Sequence, residues 1–394
     1  MPRSTLTVLL PIYFVLLMWN ISWSTSVSGP VMPLYVRALG MDVIGWSMLA
    51  MSGSAGMFIF EWIWGTISDK VGRETLLIVS MCCMSLLFSL YTVKSLVPFF
   101  FVFQFLSGAM AVVVGPVTRA MVFDGSRDES IGFSASLWWT FHALGRMIGP
   151  LMGGYIAHTA SFECSFFASS FLSALLVLVV LIVLRARKQR KSLSSPKSIT
   201  KGLTLLASTK SVRFILLAAI PVFAGIMVIR SFLPLYASEQ VGMSTMEVGI
   251  LMATISGAQL VAMPVLGWLS DRTEKKHVLV GGLGISGLLF LLHMLVRSSF
   301  QLLLASVMVS ISLSVHSLLL ALLSENAPRA LRGTAMGVYG SFEDLGMILG
   351  PLVYGAVWSI YSPASIFMAA SVLQILSILP VLAIRERPPK EAIA

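Results

Sequence analysis

The sequence predicts an all-α membrane protein whose twelve transmembrane helices form two six-helix bundles. Three observations carry this. Hydrophobic residues make up 57% of the chain and charged residues 11%, with a mean hydropathy of +0.91, whereas soluble domains carry ~25% charged residues. Twelve apolar runs are each about as long as the ~20 residues a helix needs to cross a ~30 Å hydrocarbon core. The second half also repeats the first at an offset of 201 or 202 residues.

The runs fall at 9–36, 44–66, 75–94, 97–121, 131–157, 163–184, 212–236, 245–268, 278–297, 299–324, 333–358 and 363–384. They are continuous, unlike the short alternating segments of a transmembrane β-barrel. The first continues through "SGPVMPLY" (28–35) with no small-residue cleavage pattern, so it reads as a retained helix rather than a signal peptide. Pro33-Leu34-Tyr35 at its end returns as Pro234-Leu235-Tyr236 in the seventh run. The second and eighth runs each end in a charged turn, "GTISDKVGRE" (65–74) and "GWLSDRTEKK" (267–276). Asp124 closes the fourth run as Glu325 closes the tenth, and "LGRMIGPLMGG" (144–154) of the fifth returns as "LGMILGPLVYG" (345–355) of the eleventh. Such parallel repeats commonly hold a substrate site near mid-membrane and rock against each other. Cys82, Cys83 and Cys164 show neither metal nor disulfide spacing and read as small buried hydrophobes.

The net charge of +10 follows from topology. Even-numbered loops and the termini hold 21 of the 27 Lys and Arg residues, the opposite loops only Arg37, Lys94 and Arg297. The positive-inside rule then puts both termini and the 185–213 loop in the cytoplasm. The expected organisation is an N-terminal bundle at 1–185, a cytoplasmic linker at 186–211 and a C-terminal bundle at 212–394. No nucleic-acid partner is needed to explain the charge. Membrane lipids are the expected surroundings, with "RARKQRK" able to touch anionic headgroups, and the protein is expected to be a monomer.

"GTISDKVGRE" resembles the Gly-x-x-x-Asp-Lys/Arg-x-Gly-Arg signature between the second and third helices of the major facilitator superfamily. The resemblance covers essentially the whole chain: twelve spans, duplicated halves and the basic central loop. The second copy is degraded, with Thr273 and Glu274 where the family has Gly and Arg. By itself, the turn needs Gly72 for a permissive backbone, and Asp69 lies where a negative charge near a helix start is favoured. The resemblance implies a conformational gate of Gly65, Asp69, Gly72, Arg73 and Asp124, a charge cluster that forms in one rocking state and breaks in the other. "GRMIGPLMGG", with Gly145, Gly149, Pro150, Gly153 and Gly154, is similar to the antiporter motif of the drug/proton antiporter branch. In that branch the fourth span carries an arginine implicated in proton coupling; here Gln104 stands there, four residues before Gly108.

Charge at mid-bilayer is costly, so each intramembrane charge is a functional candidate. Six fall within spans: Glu61, Arg119, Arg146, Arg230, Glu343 and Asp344. None lies on spans 3, 6, 9 or 12, which stand outside the central cavity in the family fold. Glu343 and Asp344 are the expected proton carriers. Successive residues point ~100° apart, so one of the two faces the cavity squarely. His142 is the counterpart of Glu343 by the repeat offset. Trp23 and Trp138, with Trp19 and Trp139, are candidate aromatic walls against the alternative of core packing.

The leading expectation is a secondary active transporter working by alternating access, exporting amphipathic or drug-like small molecules in exchange for protons. Two alternatives stand beside it. One is a carrier of organic anions clamped by the intramembrane arginines; the other is a lipid flippase or non-transporting sensor. The absence of a Walker A stretch argues against ATP-driven pumping, and no nucleophile–base constellation suggests an enzyme. No cofactor or metal is expected.

Overall fold

The computed structural model describes residues 3–126, 131–184, 209–327 and 332–384. Among them every regular element is helical, as the sequence predicts. The first span is α1 (Arg3–Ser26) followed, after a break at 27–30, by α2 (Val31–Ala38). Spans 2 to 6 are α3 (Val43–Val71), α4 (Arg73–Leu90), α5 (Phe100–Gly125), α6 (Ile131–Thr159) and α7 (Phe162–Val179). Span 7 joins α8 (Lys210–Met227) to α9 (Leu233–Glu239) through a π-helical turn at Val228–Phe232. Spans 8 and 9 are α10 (Thr245–Arg272) and α11 (Lys275–Leu292). Span 10 runs through α12 (Ser299–Leu313), a 3-10 turn and α13 (Ser317–Asn326); α14 (Arg332–Ile360) and α15 (Ser365–Leu382) complete the set.

Ten spans are long and apolar enough to cross a membrane by composition. The other two, α6 and α14, have ample length at 29 residues each. They carry Arg146 or the Glu343–Asp344 pair among many glycines, and those residues dilute their hydropathy.

Local sequence explains where the helices start. Asp42 accepts a hydrogen bond from the Gly45 N–H at the head of α3 (2.7 Å). At the equivalent point of the second half, Ser244 and Glu247 form a reciprocal capping box ahead of α10. Between α3 and α4, Gly72 has φ +98°, a conformation costly for any residue with a Cβ.

The described residues divide into two compact units, 3–184 with 230–260, and 209–229 with 261–384. The expected boundary near 186–211 lies mostly outside the described residues. The units also differ from a simple division there, because 230–260 packs with residues of the first half. In the first unit α1 packs on α6 and α7, α3 on α5, and α4 on α7. In the second, α8 packs on α14 and α15, and α11 on α15, which repeats the α1–α6, α1–α7 and α4–α7 contacts. Cys82 and Cys164 are exposed on the helix surface and Cys83 is half-buried, so the expected buried cysteines are not found. They sit on α4 and α7, outer helices whose apolar faces have lipid, not protein, as their solvent.

Candidate substrate and gating sites

The glycines of α6 are contact surfaces. A Cβ built at Gly145 would lie 2.7 Å from the Leu17 carbonyl oxygen, at Gly149 2.9 Å from that of Ile21, and at Gly153 2.0 Å from that of Thr25. No side chain fits, so α6 lies against the α1 backbone along this edge. Gly346 and Gly350 approach Ile220 and Ala224 in the same way in the second unit. There the third position is Tyr354, whose hydroxyl donates to the Ala224 carbonyl (3.0 Å). On the other side of α6, a Cβ at Gly154 would lie 2.8 Å from the Gly249 Cα, and one at Gly249 would lie 2.6 Å from the Pro150 carbonyl oxygen. Pro150 and Gly154 therefore hold α6 directly against α10.

Two further ties join the same segments. Arg37 at the end of α2 pairs with Glu239 at the end of α9 (2.6 Å). The Trp46 indole N–H donates to the Ser231 carbonyl (3.0 Å) within the π-helical turn, where the helical ladder is interrupted.

At the opposite end of the first unit Arg73 pairs with Asp124. Gly65 and Asp69 fall on the last turns of α3, and the Asp69 side chain lies outside the described residues. The second unit has its own cluster: Lys275 bridges Asp271 (3.7 Å) and Glu325 (3.1 Å). Glu274 stands where the family signature has its arginine, and Lys275, one position on, supplies the basic group. At an offset of 202 Lys275 is the counterpart of Arg73, which was the available signal.

The charges inside the spans group by unit. The Arg119 guanidinium lies over the Trp138 ring (4.6 Å) and near that of Trp139 (5.5 Å), within electrostatic reach of Glu61. Trp138 donates its indole N–H to Thr118 (3.0 Å) and stacks on His142 (5.4 Å). His142 lies in the field of Arg119, Arg146 and Arg230. Sequence reading had these residues on four separate spans without showing that they converge. Trp23 is elsewhere, stacked on Trp19 and tilted against Phe88 between α1 and α4. In the second unit Glu343 is half-buried beside Tyr339, while Asp344 is only 6% exposed. Gln104 is buried and accepts a hydrogen bond from the Tyr91 hydroxyl (2.7 Å).

The profile of the Major Facilitator Superfamily matches residues 14–257 and 215–394. The chain belongs to the major facilitator superfamily. Members of this superfamily are transporters, and the chain is a multi-pass membrane protein with their fold. Among its relatives are proteins named multidrug resistance protein MdtG. That of Enterobacter lignolyticus is 25% identical over 351 residues, covering 86% of this chain and 83% of the relative. That of Escherichia coli K12 is 26% identical over 350 residues, covering 86% and 85%. In shape the chain is similar to a mutant of the nucleoside transporter NupG, with a TM-score of 0.79 and 13% identity, over 96% of this chain and all of that one. It is also similar to a bacterial homologue of the lysosomal transporter Spinster, with a TM-score of 0.77 and 13% identity, over 98% and 96% of the two chains. At such identity these two structures speak for the fold alone.

Proposed function

We propose that the chain is a secondary active transporter of the cytoplasmic membrane, exporting amphipathic, drug-like small molecules in exchange for protons. The observation that carries this reading is the contact of α6 with α10 at Pro150, Gly154 and Gly249, where the antiporter-type motif meets the second half of the chain. A contact made of backbone and glycine can close tightly and part without leaving a buried side chain unsatisfied. The multidrug resistance relatives favour the same substrate class. The two halves, 1–185 and 212–394, move against each other, with both termini in the cytoplasm.

Gln104 leaves the expected coupling position of the fourth span uncharged, so proton carriage falls to α14. Glu343 is half-buried and accessible, Asp344 enclosed. Glu343 is therefore the proton carrier, and Asp344 holds the helix in place. Proteoliposomes with an imposed pH gradient and a panel of amphipathic dyes test the reading. Gradient-driven dye movement is expected. Movement of labelled phospholipid alone, with no dye transported or exchanged, would make the protein a lipid flippase instead.

A further inference from the structure

We propose that Trp268 and Arg272, at the end of α10, form a binding site for one anionic phospholipid, its acyl chain lying along the helix and its phosphate on the guanidinium. This goes beyond the transport reading and stands without it.

Val261, Val265, Trp268 and Arg272 follow one another at steps of four, three and four residues, so they share one face of α10. That face is open. Val261 is 67% exposed, Val265 55% and Trp268 54%, and Arg272 is exposed at its end. The strip rises about 16 Å along the helix axis, close to half of a ~30 Å hydrocarbon core and so to the depth of one leaflet. An apolar strip of that length, ending in an indole and then a cation, has the order of a single phospholipid: chain, interface, headgroup.

The cation is set in place. The Arg272 Cζ lies 4.1 Å from the centroid of the Trp268 ring. A guanidinium held against an indole keeps the donors at its edge for an oxyanion, and a phosphate can accept two of them at once. The two other cations of this turn are engaged. Lys275 bridges Asp271 and Glu325, and the Lys276 Nζ donates to the carbonyl oxygens of Leu382 (2.6 Å) and Ile384 (3.0 Å). Arg272 makes no ion pair among the described residues. The nearby acids have other partners: Asp271 and Glu325 share Lys275, and Glu274 lies 2.9 Å from His277. The counter-charge of Arg272 is therefore supplied by the lipid. Arg272 adjoins Asp271, so a phosphate on its guanidinium also keeps a second cation from drawing that carboxylate away from Lys275. A headgroup of net negative charge is favoured over phosphatidylcholine, whose choline cancels the phosphate.

The test is native mass spectrometry of the full-length protein in neutral detergent, titrated with phosphatidylglycerol or with phosphatidylcholine of the same chains. The first phosphatidylglycerol should bind about fivefold tighter than phosphatidylcholine. Arg272→Gln should lower it to the phosphatidylcholine level while leaving phosphatidylcholine unchanged. Arg272→Lys, which keeps the charge and loses the fork, should fall between. Arg187→Gln, in the basic "RARKQRK" stretch, should leave the first phosphatidylglycerol as tight as in the wild type. Millimolar inorganic phosphate should not displace the lipid; displacement would make this a site for soluble anions and overturn the lipid assignment. Equal binding of the two lipids by the wild type, wild-type selectivity in Arg272→Gln, or an equal loss in Arg187→Gln would overturn the proposal as well.

Discussion

Gln104 shows what a single residue can and cannot tell from sequence. That an arginine is missing was legible; that the amide is buried, bonded to Tyr91 and pressed against Gly53 was not, because its partners come from other spans. A Cβ at Gly53 would lie 3.0 Å from the Gln104 Nε2, so there is no room here for a larger group. Gln104→Arg should therefore cost ~3 kcal/mol or more, as a charge forced into the bilayer core does, and be seen as a lowered melting temperature in detergent. An arginine variant as stable as wild type, with steeper pH-driven transport, would show the site to be a dormant coupling position. The acids of α14 separate at the same scale. Glu343→Gln should abolish pH-driven transport and retain substrate exchange, whereas Asp344→Asn should chiefly lower stability. Gradient-driven transport at wild-type rates by Glu343→Gln would remove α14 from coupling.

At the scale of elements, the glycine spacing of α6 was legible because small residues every fourth position mark a close helix contact. Which helices lay on either side was not, since spacing marks a face without naming its neighbour. The contact with α10 makes a specific prediction. Gly154→Ala puts a methyl group where 2.7 Å separates it from the Thr245 carbonyl oxygen, so α6 and α10 must part. Transport should fall severalfold, and a cysteine at Thr245 should react faster with an external thiol reagent. Unchanged labelling with unchanged transport would show that this contact does not move. The π-helical turn of span 7 was invisible in the sequence, because one extra residue per turn leaves an apolar run looking the same. Lys275 was missed for a related reason: the repeat offset alternates between 201 and 202, and a one-residue choice decided which residue matched Arg73.

For the molecule as a whole, repetition was the most legible feature, because each half must bury the same faces. The repeat did not reveal that 230–260 packs with the first half, since a self-comparison of sequence says nothing about contacts between unlike segments. The Arg37–Glu239 pair belongs to that packing, with both side chains 28% exposed. A pair this exposed is worth about 1 kcal/mol, roughly a fivefold shift in a two-state equilibrium. Arg37→Glu should speed labelling of a cysteine at Thr245 by about that factor, and Arg37→Glu with Glu239→Arg should restore it. Failure of the double reversal to restore the rate would make the pair incidental. Topology has its own check: a cysteine at Ala160 should react from the external side only, and reaction from the cytoplasmic side alone would invert the assignment.

The broken ladders of spans 1 and 7 sit at matching places, 27–30 and Val228–Phe232, an offset of 201 apart. One half interrupts its leading helix with a bend, the other with a wider turn. The regular helical ladder is interrupted at both places, at Ser28 in the first and through the π-helical turn in the second, so opening there costs less than melting a whole span. In deuterium labelling these two stretches should exchange ahead of the helix on either side, within segments that the lipid otherwise shields. That would show the protein most yielding where a membrane helix is expected to be most rigid.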